Sequence, residues 1–415
     1  MRVLHGVSGA ANQPFTLSRA QRSLGVQSDC VLFGINPYGF KADYQIESAT
    51  TTDQFDFLQF AIRNYDVFHF YYRSIIRLGT VARVFPSGSD LLALRAAGKV
   101  VVMHYRGSEV RSREIFDEIN PYSYSAELPG MFEKWPRQEI DNFRNLVLGT
   151  ADIILCADEE LRTYVPEAKV INRALNLSNV QPVGPRLQNG AKLFVHAPTR
   201  PIVKGSHFID AAFSEMHKNG TIASYRKVQN FENTVAMSIY SDATIAIDQL
   251  RIGWYGVFAV EAMALGKPTI CYIREDLLST HEDELPIINA NPKNIRQVLE
   301  MVNDESLETL KIRGDKGRSF VEQHHDATKI ARELLELYEE ALSNPRQSSR
   351  PDLIVDFLKR QALFTEFKRP PALRRLQNLI VERGWRYGLL SAINASKVRL
   401  RKVFHRPKFR LLRRD

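Results

Sequence analysis

One pattern restricts this chain more than any other: short β-branched runs alternate with amphipathic helical stretches, the alternation stops, and then it starts again. In the first stretch the runs are residues 2–5, 26–33, 67–70, 100–104 and 153–157, with a helical segment over 15–24 after the first. In the second they are residues 192–196, 243–247 and 269–272, with a helical segment over 206–218 and another closing the stretch over 328–342. A strand followed each time by a helix builds a parallel sheet covered by helices. Between the two stretches, residues 177–189 carry Pro182, Gly184 and Pro185 without any period, the marks of a connection. A chain of 415 residues, 44% hydrophobic, has apolar material for two cores. The prediction is an α/β protein of two Rossmann-like, doubly wound units, residues 1–176 and 191–343, joined by a linker at 177–190 and followed by an extension at 344–415.

Charge sets the extension apart. Nineteen Lys/Arg against five Asp/Glu fall from residue 344 onward, so of the net +9 the extension supplies +14 and the body −5. Beyond the polar stretch 344–351, arginines interleave with Leu, Val, Phe and Trp385 around residues 373–387 and 398–412. That mixture suits helices lying on an anionic lipid surface, and equally a helix packed across the two units; nucleic-acid binding ranks third, because no recognition motif accompanies the charge. Cys30, Cys156 and Cys271 are far apart and form no C-x-x-C, so they read as buried thiols and not as a disulfide framework or zinc site. The sequence opens on a strand-like Met1-Arg2-Val3-Leu4-His5, and nowhere do about 18 apolar residues run together. The expectation is a cytoplasmic protein, peripheral at the inner face of the plasma membrane if the basic extension docks there.

The most informative segment is Gly253-Trp254-Tyr255-Gly256-Val257-Phe258-Ala259-Val260-Glu261-Ala262-Met263-Ala264-Leu265-Gly266-Lys267-Pro268-Thr269. It reads as a glycine-containing turn entering a helix that Gly266 ends, with Pro268 leading into a strand. Such a turn offers free backbone N–H groups and the positive end of a helix to a phosphate. Glu261 falls on an otherwise apolar stretch, where an unpaired carboxylate is costly, so a hydrogen-bond donor is expected beside it. Here the chain resembles the family 4 glycosyltransferases, whose Glu-x7-Glu motif enters a helix of this kind and whose second Glu holds the ribose hydroxyls of the donor nucleotide. Glu261 matches that second Glu. At the first position, which the family places beside the sugar ring, stands Gly253, and the nearest acid is Asp248. The resemblance implies a donor site lined by Gly253, Tyr255, Gly256 and Glu261, with Asp248 as the substitute acid.

A second constellation, His196-Ala197-Pro198-Thr199-Arg200-Pro201-Ile202-Val203-Lys204-Gly205, sits between a predicted strand and a predicted helix. Two cations at such a turn suit a pyrophosphate. The resemblance gives Arg200 and Lys204 to the donor diphosphate and its departure, and puts base recognition near residues 226–231. In the first unit, His5-Gly6-Val7-Ser8-Gly9-Ala10-Ala11-Asn12-Gln13-Pro14 follows the first predicted strand; its small residues let backbone approach a ligand. His69 and His104 end predicted strands, Arg106 and Ser108 follow, and ligands of open α/β sheets bind outside such strand ends. By resemblance Gly9, Asn12 and Gln13 lie near the transferred sugar or acceptor, His104 contacts the donor sugar, Arg106 and Ser108 contact the acceptor or a phosphate, and His69 faces the cleft.

No G-x-S-x-G, H-E-x-x-H or D-x-D pattern points to a hydrolase or a metal site. The resemblance implies GT-B architecture, two Rossmann-like domains facing a cleft, and transfer of a sugar from a nucleotide-diphosphate sugar to a glycan or lipid-linked acceptor. It further implies retention of configuration, with no metal or other cofactor beyond the donor and no nucleic acid as partner. Catalytic roles fall on His104, Arg200, Lys204 and Asp248. Two other readings stay open: a sugar-nucleotide epimerase on the same architecture, and a non-catalytic nucleotide-sugar or lipid-binding partner.

Overall fold

The computed structural model describes residues 1–34, 39–46, 51–72, 75, 88–133, 137–280 and 285–344; the basic extension beyond them lies outside the described residues. Thirteen strands are present among these: β1 (Arg2–Val7), β2 (Gln27–Phe33), β3 (Tyr44–Ile46), β4 (Val67–Phe70), β5 (Val100–Tyr105), β6 (Ile153–Cys156), β7 (Lys169–Val170), β8 (Leu187–Gln188), β9 (Ala191–His196), β10 (Ala223–Lys227), β11 (Ile245–Ile247), β12 (Thr269–Cys271) and β13 (Ile287–Asn289). They form two sheets. The first is wholly parallel in the order β3-β2-β1-β4-β5-β6-β7, and the second has the parallel order β10-β9-β11-β12-β13. The order reverses beside β1 in the first and beside β9 in the second, and crevices for ligands open at such switch points. The loops after β1, β9 and β11 are those carrying the sequence motifs.

Burial explains why the central runs were legible. Every residue of β4 and β5 is buried, as strands covered by helices on both faces must be. Cys30, Cys156 and Cys271 are free and buried. Among the described residues no helix is long and apolar enough to cross a membrane.

The last helix departs from the sequence reading. By sequence Ala327–Ser343 falls with the second unit, yet its buried face, Ala327, Ile330, Ala331, Leu334 and Tyr338, packs with Val3, Val67, Val100 and Val102 of the first sheet and with Leu17 of the helix Gln13–Ser23. Spacings of three and four put these residues on one stripe, but a stripe does not name the sheet it will cover. The return crossing is fixed at its start. Asp326 caps the helix, accepting from the N–H groups of Thr328 at 2.9 Å and Lys329 at 3.0 Å, and Leu175 pairs with both flanking residues. The linker is likewise partly ordered: β8 pairs antiparallel with β9.

Leu334 is fully buried under the first sheet. Leu334→Ala is expected to cost about 2–5 kcal/mol, the range for deleting a buried leucine side chain. Native-state hydrogen exchange read by mass spectrometry then shows protection lost in β1 and β4; loss confined to β9 and β11 instead would contradict this packing.

Candidate functional site

β11 ends at Ile247, and the next residue, Asp248, is wholly buried. An isolated carboxylate there would be driven to neutrality, so its partners matter. The Lys204 ammonium donates to Oδ1, and the Gly256 N–H donates to Oδ2 at 2.6 Å. Lys204 closes the short helix Pro201–Lys204, which Arg200 precedes, and Gly205 turns the chain with a φ of 74° into the helix Ser206–Lys218. Gly256 precedes the helix Val257–Ala264. A Cβ on Gly256 would lie 2.9 Å from Asp248 Oδ2 and 3.3 Å from Lys204 Nζ, so the carboxylate reaches the helix entrance only because that residue is glycine. The loops after β9 and β11 and this helix N-terminus thus meet at one carboxylate.

Glu261, on the second turn of the same helix, keeps 8% of its surface exposed. Its Oε1 accepts from Asn233 Nδ2 at 2.8 Å. Burial pushes the Glu261 carboxyl up to about 7; the Asn233 amide opposes the rise, Asp248 adds to it and Lys204 opposes it. The donor demanded by the apolar context is therefore Asn233, first residue of the helix Asn233–Ser241. The sequence required some partner for Glu261 but gave no means of choosing it. Phe231, at the end of the segment implicated in base recognition, is 47% exposed two residues before Asn233.

Gly253 lies eight residues before Glu261 and has a φ of 100°, a conformation L side chains rarely adopt. Its carbonyl accepts from the Arg274 N–H at 2.9 Å, and a Cβ there would stand 3.2 Å from Arg274 Cβ. Arg274 is 2% exposed, bonded through Nε to Asp276 at 2.7 Å and through Nη2 to Thr163 at 3.1 Å, while Nη1 is buried without a partner. Where the motif would carry an acid, this chain packs an arginine. Arg251 ties the two halves: its Nε donates to Tyr122 O at 3.0 Å and its Nη2 to Ser123 O at 2.6 Å, and Nη1 pairs with Glu127 at 2.7 Å. Arg200 Nη1 lies 3.4 Å from Met131 Sδ across the same seam.

In the first half, Gly9 O accepts from the Asn12 N–H at 2.6 Å, closing a turn in which Ala11 and Asn12 have φ of 53° and 63°. Asn12 Oδ1 is buried with no partner. Gln13 is committed elsewhere: its side chain takes both backbone groups of Ala174, at 2.7 and 2.9 Å. His69 and His104 are fully buried, joined Nε2 to Nδ1 at 3.1 Å. The other nitrogen of His69 meets Tyr338 Oη, and that of His104 meets Arg106 Nη1 at 3.2 Å. Burial pushes both imidazoles well below their usual range. With every ring nitrogen engaged, neither histidine presents a ring nitrogen to a ligand; Arg106 closes the His104 end of the pair.

No family model and no curated protein matches the sequence. Solved structures do match. Sucrose-phosphate synthase from Thermosynechococcus elongatus superposes with a TM-score of 0.57 at 14% identity, covering 82% of this chain and 98% of that one. A glycosyltransferase from Rickettsia africae gives 0.55 at 12% identity over 83% of this chain and 99% of that one. Anabaena HepE, in complex with UDP-glucose, gives 0.54 at 12% identity over 81% and 99%. The chain has the GT-B fold.

Across this GT-B frame, the site residues read from the sequence divide. Arg200, Lys204, Asp248, Gly256 and Glu261 gather at the carboxyl ends of β9 and β11, and Gly9, Asn12, Arg106 and Ser108 lie beyond the carboxyl ends of β1 and β5. Tyr255 is turned into the core, 1% exposed, with its hydroxyl 3.1 Å from His325 Nε2. Tyr255 and Gln13, read as ligand contacts, are placed as structural ties, and His69 and His104 as a buried pair. Their residue types were consistent with either role; only packing distinguishes them.

The raised Glu261 pKa has a sign that can be checked. Its folded state holds a proton that the unfolded state has lost between pH 4.5 and about 7, so this residue favours folding at acid pH and penalises it as pH rises through about 7. Glu261→Gln is expected to match wild type in thermal stability near pH 4, to diverge from pH 4.5 upward and to exceed it above pH 7.5, by at most about 3.5 kcal/mol at roughly 1.4 kcal/mol per pKa unit. Calorimetric melting across pH 4–8 reads the divergence, and a constant difference would refute it.

Proposed function

We propose that this chain is a glycosyltransferase that moves a sugar from a nucleotide-diphosphate sugar to an acceptor hydroxyl. The observation that carries this reading is the cluster of Lys204, Asp248, the Gly256 N–H and Glu261 at the entrance of one helix, with Arg200 on the same loop as Lys204. Ribose hydroxyls suit a buried carboxylate that already holds one amide, and the 47% exposed Phe231 ring offers a face for stacking a base. A diphosphate suits Arg200, Lys204 and the helix N–H groups. Anabaena HepE, of the same fold, was solved with UDP-glucose, so uridine donors come first in a screen.

In this mechanism the bond from the anomeric carbon to the diphosphate oxygen breaks as the acceptor oxygen approaches. Negative charge grows on the departing diphosphate, and groups already aimed at it stabilise that state more than the bound substrate. Lys204 is the central group. It shares its charge with Asp248, and a phosphate arriving beside them gives the ammonium a second anion. The acceptor enters on the face the donor leaves, which retains configuration. Movement of the halves about their seam excludes water, whose attack would waste the donor. The setting proposed is glycan assembly on the cytoplasmic face of a membrane, with the basic extension, outside the described residues, as the docking element.

Gly253 favours a second reading, a sugar-nucleotide epimerase, because the sugar ring loses the acid expected there. Acceptor-dependent release of nucleoside diphosphate separates the two, since an epimerase has no need of an acceptor sugar.

Two outcomes are expected. In a thermal-shift screen against UDP-, GDP- and ADP-sugars, one base raises the melting temperature of wild type and the shift is lost in Glu261→Ala; no shift at millimolar concentration with any nucleotide would remove the donor site. Gly253→Glu, which completes the carboxylate spacing, lowers both stability and turnover. The positive φ alone costs on the order of 1–3 kcal/mol, and Arg274 occupies the space. Turnover above wild type would show that the glycine is a simple loss.

A further inference from the structure

Arg106 follows the carboxyl end of β5 and is half-buried. Its own N–H and that of Gly107 both donate to Glu109 Oε1, the latter at 2.8 Å, so this acid is used in shaping the turn. The next acid, Asp158, accepts from Arg173 Nη2 at 2.5 Å through one oxygen and from the Leu161 N–H at 2.8 Å through the other. The Arg106 guanidinium is left with His104 Nε2 at 3.2 Å and the face of Tyr71, 5.8 Å from the ring centroid. Neither is an anion, and Arg106 makes no ion pair among the described residues. Burial and the neighbouring Arg173 push the guanidinium down to about 10, while Tyr71, Asp158 and Glu109 oppose the fall only in part.

The contacts that hold Arg106 have a direction. A guanidinium only donates, so His104 Nε2 accepts and His104 carries its proton on Nδ1. Nδ1 then donates to His69 Nε2, which leaves the His69 proton on Nδ1, facing the Tyr338 hydroxyl. Three side chains from three elements, His69 of β4, His104 of β5 and Tyr338 of the last helix, thus end on one arginine and aim it without supplying a countercharge. A structural arginine is ordinarily neutralised by a carboxylate, as Arg111 is by Glu160 in the same half, where both partners are buried. Arg106 has positioning in place of neutralisation, and its remaining donors are not among the buried atoms that lack partners, so they face accessible space.

We propose that Arg106 binds an anionic group, a phosphate or carboxylate, on the acceptor, with His69 and His104 as the residues that position it. Only the word acceptor rests on the glycosyltransferase reading; the anion site does not.

The test uses full-length protein at constant ionic strength, titrated calorimetrically with inorganic phosphate, glucose 6-phosphate, gluconate and the soluble lipid dihexanoyl phosphatidic acid. Wild type is expected to bind at least one of them, and Arg106→Gln to bind it about tenfold more weakly or not at all, the scale of a charge-assisted pair. Arg106→Lys recovers part of the loss. His104→Gln weakens the same anion while its circular-dichroism spectrum matches wild type, which separates positioning from damage to the fold. Preference for the lipid or for the sugar phosphate identifies the source of the group. Equal affinities in wild type and Arg106→Gln, or no binding by folded wild type up to about 10 mM, well beyond the millimolar range of weak sites, overturn the proposal. Arg106-dependent anion binding without any nucleotide shift would keep the anion site and discard the donor reading.

Discussion

The second half of the chain is organised around the carboxylate of Asp248. It has no exposure, so without Lys204 and the Gly256 N–H it would be an uncompensated buried charge, and removing one partner of such a set costs more than the set itself contributes. The consequence is geometric. β11 delivers the acid, β9 delivers Lys204 through the short helix Pro201–Lys204, and the helix Val257–Ala264 is drawn in by the N–H of Gly256, the residue before it. Glu261 then stands one turn deeper, where burial raises its pKa, the Asn233 amide opposes the rise, Asp248 adds to it and Lys204 opposes it. Under the function proposed above, charges fixed in this way before any ligand arrives are what transition-state stabilisation requires.

The halves are bound to each other by two different kinds of contact. Arg251 and Asn120 make polar links at the seam: Asn120 Nδ2 donates to Arg251 O at 2.8 Å while Arg251 reaches back to Tyr122 and Ser123. The final helix makes an apolar one, leaving the second sheet and burying Leu334 and Tyr338 beneath the first. Polar links at a seam can be exchanged for water as the halves move, but a buried stripe cannot.

Legibility in the sequence followed burial. Strands paired on both sides, such as β1, β4 and β5, are apolar enough to be read directly. The edge strands β3, β7, β10 and β13, together with the two-residue β8, were not found, because they are short and mostly part-exposed, and half of their backbone partners are missing. In the site, Lys204, Asp248 and Glu261 were legible because a charge on an apolar or glycine-rich turn demands an explanation. Asn233 and Arg274 were not, since an amide at a helix start and an arginine after a strand are ordinary sequence. Gln13 and Tyr255 show the converse: each is a polar group on a promising loop, and in the structure its side chain bonds to Ala174 or His325. Nor could the final helix be placed, because its stripe fits either sheet.

Charge within the fold is sorted more finely than the net −5 of residues 1–343 suggests. Around the seam the cations come with acids assigned to them: Lys204 with Asp248, Arg173 with Asp158, Arg251 with Glu127, and Arg274 with Asp276. Arg200 and Arg106 differ. Among the described residues neither has an ion pair; the first contacts a thioether, the second an imidazole. One belongs to each half, and each follows the carboxyl end of a strand in its sheet. In an otherwise acidic body, leaving a guanidinium unneutralised at each of these places carries a desolvation cost that folding alone does not recover. Under the two proposals made above, a donor diphosphate is the countercharge for Arg200 and an anionic acceptor group the countercharge for Arg106.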